Sequence, residues 1–290
     1  MVLPPARDRA RIVGAALAED APWGDLTAES FLPEHARIDA VLRAREDGVL
    51  ATADLLEEVF GQIDPGIRVE RLHPDGTRFS AGAELARIHG PARGIVTGER
   101  VALNLVQRLS GIATLTQRYV DAVAGSGPRI ADTRKTTPGL RILERYAVRC
   151  GGGHNHRFGL SDAVMVKDNH LAAVAGAGPG AVTAALRAMR QRLPHTAHVV
   201  VEVDRLDQIE AVLDGGANTV LLDNMSPEEL VAGCTLIAGR ATVEASGGVS
   251  LDTVAAIART GVDVISVGAL THSARALDLG LDVDLDASVR

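Results

Sequence analysis

Aromatic residues make up 2% of the 290-residue sequence, one Trp, two Tyr and four Phe, so the core has to be aliphatic. Apolar residues still reach 46%, drawn mostly from Ala, Val and Leu, which is enough for one large domain or two smaller ones. The two cysteines, Cys150 and Cys234, form no CxxC pair and imply neither a disulfide framework nor a redox motif. No apolar run approaches the roughly 20 residues of a membrane-spanning helix. The opening MVLPPARDRA has no apolar core of the signal-peptide kind, so a cytoplasmic location is expected. A formal net charge of −7 argues against nucleic acid as a bulk partner, because phosphate backbones are held by a general excess of cations. Lysine is the scarcest charge: Lys135 and Lys167 are the only two among 30 basic residues, the other 28 being arginine.

Both lysines fall in DTRKTTPGLRILERYAVRCGGGHNHRFGLSDAVMVKDNH, residues 132–170. Seven basic residues there (Arg134, Lys135, Arg141, Arg145, Arg149, Arg157, Lys167) meet four acids (Asp132, Glu144, Asp162, Asp168). The local charge is seven minus four, +3, against −10 for the remainder. A chain that uses arginine almost everywhere keeps lysine where a compact point charge fits and a planar guanidinium does not. A positive island in an acidic protein suits a pocket for a small, strongly anionic substrate. The plainer alternative is a solvated helix face that carries two leftover lysines.

Downstream, the apolar runs HVVVEVD, TVLLDN, ATVEASGG and VISVGAL alternate with helical patterns such as RLDQIEAVLDGGA and SLDTVAAIARTGV. Glu202, Asp223, Glu244 and Ser266 lie near the ends of these runs, 21, 21 and 22 residues apart, a spacing of one strand plus one helix. PRIADT and DAVMVKDN extend the series backwards. The pattern predicts parallel strands covered by helices. With about six strands and no Gly-x-Gly-x-x-Gly fingerprint, a TIM-like β/α barrel, complete or incomplete, fits better than a dinucleotide-binding sheet. RIDAVLRARED, IRVERL and GAELARIHG, set apart by Pro65-Gly66 and Pro74-Asp75-Gly76, predict a smaller N-terminal α+β domain. GERVALNLVQRLSGIATLTQRYVDAVAG predicts one long linking helix, or two stacked ones interrupted near Gly111. The expected domains are 1–108 and the barrel 109–273, with 274–290 too short for a domain and packing on one of the others, the N-terminal one first.

In a parallel β/α barrel the active site lies at the carboxyl ends of the strands. Glu202 and Asp223 end adjacent runs and could hold Mg²⁺ with water and substrate phosphate, or one of them could cap the following helix. Ser246-Gly247-Gly248, before a helix expected near Ser250, offers backbone N–H groups to an anion, and Gly268 adds a second position of close approach. Thr133, Arg134 and Lys135 follow one strand and Lys167 closes the next, so a guanidinium fork and two point charges could face carboxylate and phosphate groups. His154, Asn155, His156 and Arg157 could present polar groups from a mobile loop after three glycines. Zinc at Cys150, His154 and His156 lacks a fourth ligand. A Schiff-base aldolase acting through Lys167 or Lys135, and a sensor that only binds phosphorylated ligands, are the rival readings.

The sequence resembles the quinolinate phosphoribosyltransferases over most of its length. The resemblance rests on GDLT (24–27), ERVALNLVQRLSGIAT (99–114), DTRKTTPGLRILERYAV (132–148), GGGHNHR (151–157), KDNH (167–170), VEV (201–203), LLDN (221–224), EASGG (244–248) and SVGALTHS (266–273). A pyrophosphorylase-like protein of molybdenum-transport operons shares that fold, but the intact DTRKTTPG and NHR segments resemble the quinolinate enzyme more. Asn218, where the family pattern leads one to expect an acid, is a departure away from the polar motifs. The resemblance implies transfer of phosphoribose from phosphoribosyl pyrophosphate to quinolinate with decarboxylation, Mg²⁺ as cofactor, and a homodimer, with or without further assembly. It implies that Arg134, Arg157 and Lys167 contact quinolinate beside Thr133 and Lys135, and that Arg100 reaches in from a second copy of the chain. Glu202 and Asp223 would serve the ribose and the metal, while Ser246, Gly247, Gly248, Val267, Gly268 and Ala269 would cradle the 5′-phosphate. His156 and His272 complete the expected substrate-binding set, and Lys135, Lys167, Glu202 and Asp223 are the expected catalytic residues.

Overall fold

Two helices, α1 (Ala6–Asp20) and α2 (Leu26–Phe31), open the chain. Asp25 of the GDLT motif starts α2 by accepting the N–H groups of Thr27 and Ala28 at 3.0 and 2.9 Å, as an N-cap does. Next come β1 (Arg37–Ala44), β2 (Gly48–Val49), α3 (Leu55–Ile63), β3 (Arg68–Arg71), β4 (Arg78–Phe79), β5 (Glu84–Pro91) and the helix α4 (Ala92–Ala122). Of the two expected forms of this stretch, one long helix or two stacked ones, the structure has the first, 31 residues long. Gly111 does not interrupt α4; the backbone of Arg275 lies where a Cβ would be.

The second half begins with β6 (Arg129–Ala131), α5 (Arg141–Cys150), β7 (Val164–Val166), α6 (Asp168–Ala175), α7 (Ala181–Arg192) and β8 (Val199–Val203). It continues with α8 (Ile209–Asp214), β9 (Thr219–Asp223), α9 (Pro227–Ile237), β10 (Thr242–Ser246) and α10 (Val254–Ala258). β11 (Val264–Ser266), α11 (Ala269–His272) and β12 (Leu279–Val283) end it. The computed structural model describes residues 2–52, 54–176, 178 and 180–283.

These elements divide into two units. The first unit (Met1–Gln117, Thr136–Gly152, Leu270–Arg290) holds an antiparallel sheet in the order β12-β1-β5-β3. Residues 279–283 of the expected tail thus supply an edge strand to the N-terminal sheet. The second unit (Arg118–Lys135, Gly153–Ala269) holds six parallel strands in the order β6-β11-β10-β9-β8-β7. Where the sequence suggested one division after residue 108, the chain passes between units within α4, and α5 belongs with the N-terminal sheet.

From β7 to β11 each strand lies beside the next in sequence, and the last, β11, lies beside the first, β6, which is the order of a barrel. Among the described residues no ladder joins β6 to β7, so the barrel is incomplete along that seam. A single bridge between Ala131 and His154 flanks β6 there instead. The core is aliphatic as expected: of the twelve largest fully buried side chains described, all but Phe60 are Leu or Ile.

Candidate active site

All six parallel strands run the same way, so their carboxyl ends lie at one end of the sheet. Around the arc these ends carry Thr133-Arg134-Lys135 after β6, Val267-Gly268-Ala269 after β11, and Ser246-Gly247-Gly248 closing β10. Asp223 closes β9, Glu202 lies one residue inside the end of β8, and Lys167 follows β7. Cations thus flank both edges of the arc, with a glycine-bearing segment next to one edge and carboxylates next to the other.

Register decides which of these side chains share a face. Glu202 is level with Leu221, Leu221 with Glu244, and Asp223 with Ser246. Side chains repeat every two residues along a strand, so Glu202, Asp223, Glu244 and Ser246 project from the same face. The recurrence at 21 residues therefore gives a shared face with a stagger, Asp223 standing one pleat beyond Glu202.

Burial raises the carboxyl pKa of Glu202; Lys167 opposes this from 3.3 Å, and the nearby Asp223 and Asp168 charges reinforce it. An ion-paired ammonium is no nucleophile, which disfavours Schiff-base chemistry at Lys167. The Lys167 backbone N–H is accepted by Nδ1 of His170 at 2.9 Å, which starts α6 and sets the lysine at its N-terminus. Asp223 accepts the side-chain amide of Asn224 at 2.6 Å.

The basic loop after β6 is organised by Asp132, which is fully buried. Its carboxylate accepts Nδ2 of Asn155 at 2.6 Å and the backbone N–H of His156 at 2.7 Å. His156 turns inward: its Nδ1 accepts the Arg157 N–H at 2.6 Å and its Nε2 lies 3.4 Å from Oε1 of Glu244. An accepting Nδ1 leaves the ring proton on Nε2, facing Glu244. Glu244 is itself buried and accepts the Ser266 hydroxyl. The His-Asn-His-Arg segment expected to be a mobile loop is thus held by buried carboxylates. Arg157 donates from Nη1 to the Ala163 carbonyl at 2.9 Å. Burial, then the charge of Arg134, pulls its pKa below the ordinary guanidinium value. Two guanidiniums close enough to repel suit an anion between them.

Zinc at Cys150 does not fit. Burial first, and the Asp75 carboxylate next, push the thiol up to about 12, which keeps it protonated. Among the described residues no three or more His, Cys, Asp or Glu side chains form a metal cage.

At the end of β10, Gly247 has φ +91° and Gly248 φ +60°. A Cβ on Gly247 would overlap the Asn224 side chain and stand 2.8 Å from its backbone nitrogen. The helix expected near Ser250 begins instead at Val254, after a turn in which Ser250 O accepts the N–H groups of Thr253 and Val254. Ala269 opens the short α11 directly after β11. Arg100 and His272 lie in the first unit, both exposed, Arg100 on α4 and His272 at the end of α11 with Nδ1 2.7 Å from the Ser273 hydroxyl. Asn218, at the opposite end of β9, accepts the Val199 N–H at 2.9 Å and Nη2 of Arg190 at 2.5 Å, a clasp remote from the strand ends. Asp132 and Glu244 are what a reading by exposed chemistry passes over. The available signal was an acid next to an apolar strand inside a cationic stretch.

Family models for the quinolinate phosphoribosyl transferase N-terminal and C-terminal domains match residues 25–110 and 112–282. The nicotinate-nucleotide pyrophosphorylase (carboxylating) of Mycobacterium leprae (strain TN) is 46% identical over 286 residues, 96% of this chain and 97% of that one. The probable nicotinate-nucleotide pyrophosphorylase (carboxylating) of Bacillus subtilis (strain 168) is 42% identical over 267 residues, 92% of this chain and 90% of that one. The crystal structure of NadC from Streptococcus pyogenes is similar at a TM-score of 0.92 with 39% identity, covering 98% of this chain and 99% of that one. The nicotinate-nucleotide pyrophosphorylase structure from Francisella tularensis is similar at 0.89 with 38% identity, covering 97% of each. With both family domains matched in order and relatives aligned along nearly the whole length, the chain belongs to the quinolinate phosphoribosyltransferase family.

Proposed function

We infer that the protein carries out the reaction of its family, phosphoribosyl transfer from phosphoribosyl pyrophosphate to quinolinate with loss of CO₂, which gives nicotinate mononucleotide for NAD biosynthesis. One observation carries the reading: a single set of parallel strand ends presents cations at both edges, two staggered carboxylates, and a glycine-bearing turn. In the first step the pyridine nitrogen attacks the anomeric carbon as pyrophosphate leaves. In the second, the bond from C2 to its carboxylate breaks, CO₂ departs, the electron pair stays on C2 where the adjacent cationic nitrogen stabilises it, and that pair takes up a proton. Quaternising the nitrogen supplies that stabilisation, so the protein's part in this step is to hold the dicarboxylate and exclude water. No general base is required for attack, because the nitrogen carries no proton.

Arg134, Arg157 and Lys167 hold the two carboxylates of quinolinate in this scheme, and Thr133 and Lys135 border them. The carboxylates of Glu202 and Asp223 face the ribose, where positive charge develops in the transition state. Burial already disfavours the ionised form of Glu202, and a neighbouring oxocarbenium-like centre relieves that cost. The turn at Ser246-Gly247-Gly248, with Val267-Gly268-Ala269 beside it, receives the 5′-phosphate. His156, with both ring nitrogens engaged within the protein, orients Arg157, and His272 belongs to the expected substrate-binding set. Two carboxylates, joined by no third His, Cys, Asp or Glu ligand among the described residues, suit Mg²⁺ that keeps water and substrate oxygens in its shell. When bound, Mg²⁺ neutralises charge on the departing pyrophosphate. A cytoplasmic location agrees with the two free thiols, Cys150 and Cys234.

The reaction assay tests this directly. Quinolinate, phosphoribosyl pyrophosphate and Mg²⁺ are expected to yield CO₂ and nicotinate mononucleotide together. No product from quinolinate, with turnover of nicotinate or another base, sinks the assignment and spares the fold. A homodimer with shared sites is part of the same proposal. Arg100 is exposed on α4, and Trp23, Leu26 and Phe31 are 93%, 84% and 82% exposed within nine residues, an apolar surface suited to a second copy. Arg100→Ala and Lys167→Ala, each inactive alone, are expected to recover activity when mixed. Mixed dimers that stay inactive count against sharing.

A further inference from the structure

In a closed barrel β7 would lie against the free edge of β6; here that edge is occupied by chain from the loop between them. The Asp132 N–H donates to the His154 carbonyl at 3.0 Å, and the His154 N–H to the Ile130 carbonyl at 2.8 Å. One residue further on the backbone pairing ends, and the Asp132 side chain continues it by taking Asn155 Nδ2 and the His156 N–H. A carboxylate out of water is costly unless its lone pairs are filled, so these donors are not readily exchanged. The chain then reaches Arg157, whose N–H is fixed by His156 and whose guanidinium is fixed by Ala163, the residue before β7. Arg157 is thus held from both sides of the seam, on the β6 side by His156 in the segment that Asp132 clasps.

We propose that Asp132 is a positioning residue of the reaction: its buried carboxylate stands in for strand pairing along β6 and so fixes the segment that delivers Arg157 to the dicarboxylate substrate. The inference rests on the functional reading above for the identity of that substrate. Asp132 touches no substrate in this scheme; it acts through Asn155 and His156. A carboxylate is required because both partners are donors. An amide of the same size keeps one acceptor and turns its own N–H₂ toward a donor.

The test compares the wild type with Asp132→Asn, Asn155→Ala and the double change Asp132→Asn with Asn155→Asp, varying each substrate in turn and following backbone hydrogen exchange. Asp132→Asn is expected to raise KM for quinolinate at least ~10-fold, leave KM for phosphoribosyl pyrophosphate within ~2-fold, and lower kcat less than KM rises. Amides 154–157 are expected to exchange faster while those of β8 to β10 do not. Asn155→Ala removes one donor and is expected to shift the quinolinate KM about 3-fold in the same direction. The double change lets an amide at 132 accept from His156 and donate to a carboxylate at 155, and part of the quinolinate affinity is expected to return. An unchanged quinolinate KM overturns the proposal, and so does a parallel rise in both KM values with a lower Tm, which would mark general support of the fold. Should Asp132→Asn not fold, Asn155→Ala decides alone, an unchanged quinolinate KM overturning the inference. If the wild type does not turn over quinolinate, the functional reading has failed instead. The positioning role then stands or falls on whether exchange at 154–157 rises selectively.

Discussion

In the antiparallel unit Arg43 pairs with Glu84 at 2.8 Å, Arg71 with Asp54 at 2.7 Å and with Glu57 at 2.6 Å, and Arg275 with Glu46. In the parallel unit Arg157 reaches a backbone carbonyl and feels the charge of Arg134, and Lys167 bridges to Glu202 from the edge strand. The first arrangement pairs opposite charges, whereas the second brings two guanidiniums close together, with Asp162 also acting on Arg157. Pairs of the first kind, near the surface and screened by solvent, tie the sheet and its loops without deciding the fold. Repulsion of the second kind is a standing cost that a bound anion would relieve. Arginine is not uniform within the parallel unit either: Arg240 there holds Glu210 from both Nη atoms at 2.8 Å, as the paired arginines of the antiparallel unit hold their acids.

Lys167→Arg gives this comparison its severest test, because it keeps the charge and changes only its shape. If the parallel unit needs a compact ammonium between Glu202 and the substrate, kcat/KM falls at least ~100-fold while Tm stays within ~2 °C. Near-normal kinetics would remove shape as the reason for the chain's two lysines.

Gly247→Ala is expected to have the next largest effect. The new Cβ meets Asn224, whose side chain holds Asp223, and the position has φ +91°, which an L-residue adopts at a cost of ~1–3 kcal/mol. The expected outcome is a ~10–100-fold loss in kcat/KM for phosphoribosyl pyrophosphate, with Tm lower by a few degrees. A change at Gly82, which also has positive φ but meets nothing within 4 Å, is the control: it lowers Tm without touching the kinetics. Equal kinetic losses at both would show that the Gly247 contact is not special.

The parallel unit was legible because each of its strands is a continuous apolar run closed by a polar residue, so strand order, strand ends and the chemistry at those ends followed together. The antiparallel strands were legible by alternation in RIDAVLRA and ELARIHGP. Two things did not show. The seam between β6 and β7 depends on pairing at distance, which no local pattern in PRIADT or DAVMVKDN encodes. Asp132 and Glu244 act from inside, and an acid in a strand-end motif looks the same whether it faces substrate or holds a backbone N–H. The helix after Ser-Gly-Gly was placed four residues early because Ser250, a good N-cap type, here starts a turn instead.

The smallest expected effects differ in sign between Glu46 and Glu202. Glu46 has its carboxyl lowered to about 2, by its hydrogen bond to Arg275 first, so it contributes stability above the unfolded value of 4.5 that is lost as pH falls through about 2. Arg275 is 70% exposed, which holds that contribution within ~0–1 kcal/mol. Glu202 is shifted the other way by burial, even with Lys167 opposing it. The folded state then binds more protons than the unfolded one between the unfolded value and the raised one, and stability falls as pH rises through that window. At neutral pH Glu46→Gln is therefore expected to lower Tm, and Glu202→Gln to raise it, each by about 1–3 °C. Both differences shrink in acid, the one at Glu202 vanishing first, because its window lies at higher pH. A fall in Tm for Glu202→Gln at neutral pH would mean that the ion pair with Lys167 outweighs burial at this carboxylate.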